Sequence, residues 1–388
     1  FIRFGGGEIK PGVLGTNPYE YMMSSFKEVN FNTLNTSLAL NPDLSVITKG
    51  LSLKALVNFK NWSETSYTRN IKSNIYRVKD GSYNPETGEY DYQLLQTGDQ
   101  FLSQSGIGRN SDQTFYFDAR LDWKRSFGDH NLTAMAMYMM REYRSDVLPN
   151  RNQGYSGRVT YDYASKYLVE FNFGYNGSER LAAGQRFEFF PAVSAGWVAS
   201  SEKFWEPISK YINHFKIRGS YGLVGSDAFA SGAPHFLYQN NIGIGSAHKF
   251  WTGLPTSEIS KQGPGFYVLA VQDAGWEHVK KFDIGFDMML FDQLNITFDY
   301  FHDKRERILM SRASWPSMLG YWGSKPWSNI GEVENQGFEL SLNWTKQFGK
   351  DLTLDLRGNF TYNQNEYKYV DEPNYPYVWQ TNTGKPLN

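Results

Sequence analysis

The sequence predicts an all-β chain, a transmembrane antiparallel β-barrel, from three observations. Apolar and polar residues alternate along about a dozen segments. Each segment is roughly ten residues long, as a tilted membrane-spanning strand is, whereas strands of soluble proteins average about half that length. The connections between the segments alternate between short and long. We therefore expect one face of each strand to contact lipid and the other to face a wet interior.

The alternation is clearest in residues 154–178. Tyr155 and Val159 lie on one face of a strand, and Arg158 and Asp162 on the other, because side chains two apart share a face. The pattern resumes after a turn near residues 164–165, which predicts a β-hairpin. A hairpin alone also fits a soluble sandwich, whose apolar face packs on a core.

The same reasoning predicts strands along most of the chain. Every polar face carries charged side chains that a dry core would not tolerate unpaired. The predicted strands are residues 30–40, 50–61, 114–125, 131–141, 154–164, 167–178, 186–198, 214–223, 280–290, 294–303, 333–347 and 351–363.

The connections favour the barrel over the sandwich. Outer-membrane barrels have short periplasmic turns and longer extracellular loops. The expected long extracellular loops lie near residues 62–112, 224–279 and 304–332, with shorter ones near 142–153 and 179–185. Residues 199–213 are an exception, since they fall on the short-turn side but are long enough for a helical turn. Residues 1–388 are therefore interpreted as part of a single barrel domain.

Composition excludes several other classes. The chain has 388 residues, of which 40% are hydrophobic and 17% aromatic, but no apolar run long enough for a transmembrane helix. A net charge of −1 without a basic run argues against nucleic-acid binding, and the absence of cysteine excludes disulfides and thiolate metal sites. The six histidines are scattered, and no catalytic, metal or cofactor motif occurs. We expect no enzyme activity and no cofactor.

Several blocks of sequence carry a family resemblance. Residues 154–227 contain FFP, SAGW, SEKF and FKIRGSYG in that order, followed by WEHVKKFDIGFDMMLFDQLNITFDYFHDKRERILM, NIGEVENQGFELSLNW and the terminal TGKPLN. Together they resemble the barrel of the SusC/RagA class of TonB-dependent outer-membrane transporters. The resemblance covers roughly residues 110–388, and Asn388 stands where the class usually has glycine.

The resemblance implies a larger protein than this chain. Members have a TonB-interacting segment, a plug domain and a barrel of about 22 strands. We expect this chain to hold about 12 of them and no plug, and to be part of a longer polypeptide. The implied function is TonB-dependent import of a bulky nutrient, a glycan or an oligopeptide, across the outer membrane of a Gram-negative bacterium. The implied partners are a SusD-like lipoprotein, the TonB–ExbB–ExbD complex and outer-membrane lipid, and a homodimer of the complex is left open.

Two groups of residues are candidates for function. Charged residues of the polar face are expected to face the lumen, where they line the solute path or pair across strands and hold the plug: Asp118, Arg120, Asp122, Arg158, Glu170, Asp283, Asp287 and Arg357. Aromatic residues of the long loops are expected to contact substrate or to pack the loops together: Phe236, Tyr238, Trp251, Trp315, Tyr321 and Trp322.

Two other functions remain open at this stage. A passive porin, or a barrel that serves as a scaffold in an outer-membrane assembly, would need neither plug nor TonB segment. A soluble β-rich carbohydrate-binding protein would have to cover its apolar stripes with a second layer.

Overall fold

The structure is a computed structural model, and it describes residues 18–229, 233–252, 259–316, 318 and 325–387. Its elements are one short helix, α1 (Pro18–Met23), three 3₁₀ turns (Ala199–Ser201, Lys203–Ile208 and Val378–Gln380), and the strands β1 (Ser25–Leu40), β2 (Leu51–Asn70), β3 (Ile75–Val78), β4 (Tyr92–Gln96), β5 (Ser103–Phe127), β6 (His130–Arg144), β7 (Asn150–Tyr163), β8 (Tyr167–Ser178), β9 (Phe187–Val198), β10 (Ile212–Ser226), β11 (Asn241–Thr252), β12 (Ile259–Val268), β13 (Glu277–Leu290), β14 (Leu294–Ser311), β15 (Trp327–Phe348) and β16 (Leu352–Tyr369).

Twelve of these strands form one antiparallel sheet. Its order is β1-β2-β5-β6-β7-β8-β9-β10-β13-β14-β15-β16, so each strand pairs with the next large strand of the chain. All twelve predicted strands are present, and the all-β prediction is confirmed. The remaining strands form two small hairpins, β3-β4 and β11-β12, within the long connections.

Short connections join the strands at one end, called here the turn side, and long connections join them at the other end, called here the loop side. The hairpin turn between β7 and β8 has positive φ at Ala164 and Ser165, and the Lys166 N–H donates to the Tyr163 carbonyl at 2.9 Å. Phe291 and Asp292 repeat this conformation between β13 and β14. Positive φ at both central residues defines the type I′ turn, whose twist matches that of the flanking strands.

The strands extend further on the loop side than the sequence predicts. They are 12 to 25 residues long rather than about ten. The connections between large strands shrink accordingly, to residues 71–102, 227–276 and 312–326. The alternation becomes hard to read where the strands leave the apolar zone and both faces turn polar. The assignment of residues 1–388 to one domain stays a prediction.

One face of the sheet is apolar and exposed. Phe282 to Leu290 contribute apolar side chains at every second position of β13, and Ile284, Tyr300 and Phe338 align across three strands. Nine residues span about 27 Å along a strand, or about 21 Å along the normal of a bilayer at a 40° tilt, close to the ~25 Å apolar band of outer-membrane barrels.

Charged pairs follow this apolar band on the loop side. On the same face, Lys280 lies 2.6 Å from Glu306, and Glu334 lies 2.5 Å from His302 and 3.0 Å from Lys368. Ion pairs of this kind belong in water or among lipid headgroups, because unpaired charges are costly within the hydrocarbon. The change from apolar to charged residues therefore marks one boundary of the membrane.

The chain divides into two compact units. The first comprises Phe1–Ser37, Asn58–Phe115 and Tyr143–Pro149, and the second Leu38–Val57, Tyr116–Glu142 and Asn150–Asn388. Within the first, the Asn58 amide donates to Asn35 at 2.8 Å and to Ser37 at 2.7 Å. The second unit contains all the candidate residues discussed below.

Among the described residues, no helix has both the length and the apolar content needed to cross a bilayer.

Candidate functional site

The polar face of the sheet carries a row of aligned hydrophilic residues. Glu170 pairs in register with Ser194, Ser194 with Ser220, and Ser220 with Asp283, so four neighbouring strands contribute one residue each. One position further, Arg158 donates to Glu170 across the β7–β8 hairpin at 2.5 Å. The predicted residues Arg158, Glu170 and Asp283 therefore share one face.

Arg218 is the centre of an ionic cluster on this face. Its guanidinium lies 2.7 Å from Asp299, 3.2 Å from Asp287 and 3.6 Å from Asp283. Gly285 stands opposite both Arg218 and Asp299 in register, and a Cβ at this position would lie 2.2 Å from the Asp299 carboxylate. A glycine on the intervening strand is therefore what lets an arginine of β10 reach a carboxylate of β14.

Sequence reasoning found Asp283 and Asp287 but not Arg218 or Asp299. Arg218 lies inside the FKIRGSYG motif, and its alternation with Ile217 and Tyr221 would have placed it on the polar face. The contact of Arg218 on β10 with Asp299 on β14, across Gly285 on β13, depends on the register of the strands, which the sequence does not show.

Two cavities lie on the polar face. One, of about 410 Å³, is lined by Glu170, Arg218 and Asp283. The other, also about 410 Å³, is lined by Arg120, Asp122 and Arg158.

The other predicted polar residues are more dispersed. Arg120 donates to Asp122 at 2.9 Å, and Lys54 lies 3.8 Å from the same carboxylate. Asp118 is half-buried on β5, and Arg357 is exposed on β16, where it faces Asn343 in register. The role of all eight residues in lining a lumen or contacting a plug stays a prediction.

The loop side contains an apolar core of its own. Leu181, Phe190 and Trp276 form one cluster, and Leu237, Ala274 and Leu309 form another. Phe229 packs against both, and the Trp276 indole donates to the Arg186 carbonyl at 3.0 Å. Because these residues come from two connections and from strand ends, the core fixes loops 179–186 and 227–276 to the sheet.

A buried carboxylate strengthens this attachment. Glu277 is 1% exposed, pairs with Arg305, and accepts the backbone N–H of Leu309 at 3.2 Å. A buried charge is tolerated only when it is paired and hydrogen-bonded in this way.

Polar side chains cluster beside the predicted aromatic residues. The Arg180 guanidinium stacks 4.1 Å over Phe229 and donates to the Asp227 carbonyl at 3.0 Å. Burial lowers the pKa of His235, and the neighbouring charge of Arg180 lowers it further, so this imidazole is neutral at pH 7. In the described part of the chain, the buried Arg180 Nε and His235 Nε2 have no hydrogen-bond partner.

The predicted aromatic residues fall into different environments. Phe236 and Tyr238 are half-buried with ring centroids 5.8 Å apart, and the Tyr238 hydroxyl donates to the Glu179 carbonyl at 3.4 Å. Trp251 is 61% exposed on the β11-β12 hairpin. Trp315 is half-buried. Tyr321 and Trp322 lie outside the described residues.

An aromatic pair that sequence reasoning missed lies after β16. Tyr377 and Trp379 are 59% and 71% exposed, with near-parallel rings whose centroids are 5.9 Å apart. The segment is braced by Glu372, which accepts the Asn382 N–H at 2.6 Å, and by the Gly384 N–H, which donates to the Tyr367 carbonyl at 2.8 Å. The YPYVW sequence itself could have indicated this pair.

The comparisons with known proteins agree with this geometry. A sequence profile described as "TonB dependent receptor-like, beta-barrel" matches residues 3–388. The chain belongs to the TonB-dependent receptor family. Members are integral outer-membrane proteins of Gram-negative bacteria and are receptors rather than enzymes, so the predicted location and the expected lack of enzyme activity are confirmed.

Individual relatives confirm the predicted SusC/RagA resemblance. TonB-dependent receptor P3 of Formosa agariphila is 31% identical over 304 residues, which cover 68% of this chain and 29% of the relative. TonB-dependent receptor SusC of Bacteroides thetaiotaomicron is 25% identical over 324 residues, covering 80% and 28%. The solved RagAB peptide importer in its "open-open" state has a TM-score of 0.68 at 18% identity, covering 93% of this chain and 39% of that chain. This chain therefore spans about a third of the length of these proteins.

Proposed function

We propose that this chain is the barrel part of a TonB-dependent importer that takes up a bulky nutrient across the outer membrane. The observation that carries the proposal is the loop-side core. It fixes loops 179–186 and 227–276 to the sheet, while Trp251, Tyr377 and Trp379 are exposed on the described surface. Exposed rings on a fixed frame are suited to bind a ligand at low entropic cost.

The partners follow from the family. Energy would come from the TonB–ExbB–ExbD complex acting on a plug in the full-length protein, and a SusD-like lipoprotein would cover the loop side. Glycan and oligopeptide both remain candidate substrates: the relative SusC supports the SusC-type assembly, while the solved neighbour RagAB is titled a peptide importer.

The polar face supports a role in holding the plug. Around Arg218, three carboxylates share one guanidinium, and Glu339 lies opposite Asp299 in register. An excess of negative charge here would attract a basic segment of the plug. Arg158, Glu170, Arg120 and Asp122 would line the water-filled remainder of the lumen.

An uptake assay tests the import mechanism. It uses intact cells that express the full-length protein together with the SusD-like lipoprotein. The probes are a labelled maltodextrin and a labelled casein digest, each with and without a protonophore that collapses the proton-motive force. We expect one probe to accumulate and accumulation to stop with the protonophore. Uptake of both probes at a rate insensitive to the protonophore would show a passive porin and overturn the proposal.

The role of Trp251 has its own test. Trp251→Ala should weaken binding of the transported probe by about 1–2 kcal/mol if the ring stacks on the ligand. Ile244→Ala is the matched control, since Ile244 is 95% exposed on the same strand β11. Equal affinity of the two variants would remove Trp251 from the site without affecting the transport proposal.

A further inference from the structure

Residues 199–211 connect β9 to β10 on the turn side and are called here the turn-side segment. The 3₁₀ turn Lys203–Ile208 forms its middle. Because side chains three apart share one side of a 3₁₀ helix, this turn has one polar and two apolar sides. The polar side carries Lys203 and Glu206, and the apolar sides carry Phe204 with Pro207 and Trp205 with Ile208. The turn-side segment is therefore amphipathic.

The turn-side segment packs against the apolar face of the sheet. The ring of Phe204 lies 6.3 Å from that of Trp197, and Trp205 stacks on Phe215 at 5.3 Å with an interplanar angle of 8°. Trp197 and Phe215 belong to this face, because each aligns in register with an apolar residue of the next strand. The segment therefore lies on the side of the sheet that contacts lipid.

Hydrogen bonds fix the turn-side segment in this position. Glu202, at its start, accepts the Tyr167 hydroxyl at 2.8 Å and the Lys166 ammonium at 3.1 Å. In its middle, the Trp205 indole donates to the Ile212 carbonyl at 3.0 Å. Both strands next to the segment therefore hold it, so its exposed side chains keep a defined direction.

Large apolar side chains of the segment remain exposed. Phe204 is 62% exposed, Tyr211 61% and Ile208 41%. Phe291, in the neighbouring turn, is 57% exposed and packs edge-on against Tyr211 with ring centroids 6.1 Å apart. These residues directly follow the apolar band, because β10 begins opposite Leu290, the last apolar residue of the band on β13. They therefore lie where the hydrocarbon meets the headgroups on the turn side.

We propose that the turn-side segment is a membrane anchor whose partner is the phospholipid of the periplasmic leaflet. Phe204, Ile208 and Tyr211 insert at the boundary between headgroups and acyl chains, while Lys203 and Glu206 remain in water. An apolar patch that continues the lipid-facing band is satisfied by the same lipid, and an amphipathic segment lies in the plane of the interface. The anchor fixes the depth of the sheet in the bilayer. The inference concerns membrane contact and does not depend on the import proposal.

Spin labels on the full-length protein in phosphatidylethanolamine–phosphatidylglycerol vesicles test this inference. This chain has no cysteine, so Phe204→Cys and Tyr211→Cys each carry a single nitroxide once any cysteine elsewhere in the full-length protein is replaced by serine. Glu206→Cys is the matched control, because it lies on the polar side of the same turn. Ile208→Cys replaces either variant that does not fold. Power saturation with oxygen, which concentrates in hydrocarbon, and with a nickel chelate, which stays in water, measures the depth of each label.

We expect the nitroxides at Phe204→Cys and Tyr211→Cys to lie about 5–10 Å into the headgroup–acyl boundary, and the one at Glu206→Cys to lie in water. If either of the first two is as accessible to the nickel chelate as the control, the proposal is wrong, because that part of the segment then lies in water. Shielding of these labels from both oxygen and the chelate would also overturn it, since a protein, such as a second copy of this chain, would then cover the segment.

Discussion

Leu237→Ala tests whether the loop-side core holds loop 227–276 in place. Leu237 is 0% exposed and packs with Ala274 and Leu309, so the substitution leaves a cavity that the rigid strand ends cannot fill. A fully buried Leu→Ala change costs about 2–5 kcal/mol. Because each 1.4 kcal/mol is tenfold in an equilibrium constant, local opening of the loop should increase roughly 30- to 4,000-fold.

Amide hydrogen exchange on the full-length protein measures this opening directly. Peptides from residues 233–252 should lose protection in Leu237→Ala, while peptides from β8 and β9 should exchange as before. Ile244→Ala is the control, because its side chain is 95% exposed on the same loop and its removal should cost less than about 0.5 kcal/mol. Unchanged protection in Leu237→Ala, or an equal loss in Ile244→Ala, would show that the core does not secure the loop.

Three further predictions concern the charged and apolar faces. Hydrogen bonds from the Ser314 N–H and hydroxyl, together with the charge of Arg312, outweigh burial and hold the pKa of Asp371 below its ordinary value. The stabilisation by the Asp371 carboxylate is therefore complete well above pH ~4 and is lost as the pH falls through the lowered pKa. At neutral pH, residues 312–316 should exchange amide hydrogens faster in Asp371→Asn than in the unmodified protein. In acid, where Asp371 is protonated, this difference should vanish. Arg218→Gln leaves three carboxylates facing one another and should lower the free energy of urea-induced unfolding by about 1–2 kcal/mol. Arg357→Gln is the control, because Arg357 is exposed and its substitution should change little. Equal effects of the two variants would contradict the role of the cluster. Ile284→Arg, within the apolar band, should cost about 2–4 kcal/mol in the same assay. Gln336→Arg, at the loop-side boundary of the band level with Phe282, should cost less than about 1 kcal/mol; similar costs would misplace the membrane boundary.

The strands could be predicted because a period of two is a local property of the sequence. Their ends could not. Lys304, Arg305 and Glu306 read as a polar loop, yet they continue β14, since Lys280 and Glu277 on the neighbouring strand supply opposite charges. The strand then passes an irregularity at Arg307, whose φ of +57° no sequence pattern indicated.

The candidate site was predicted only in part, for a related reason. Arg158 and Glu170 lie on the two strands of one hairpin, so alternation was enough to place both on the polar face, where they form an ion pair. The loop-side core joins Leu181 to Trp276 and Leu237 to Leu309, residues separated by long stretches of chain. Loop aromatic residues such as Phe236 and Tyr238 could be recognised as unusual, but only packing shows that they are half-buried while Trp251 is exposed.

Different sets of apolar side chains stabilise the sheet and the loops. Along the apolar band of β13 to β16 the large apolar residues are half-buried or exposed, which a water-soluble protein would not tolerate over so large a face and which lipid satisfies. The tightly packed core lies instead at the loop side, around Leu237 and Trp276. Since a loop core can open without breaking strand pairing, we expect the loops to open at a lower free energy than the transmembrane sheet.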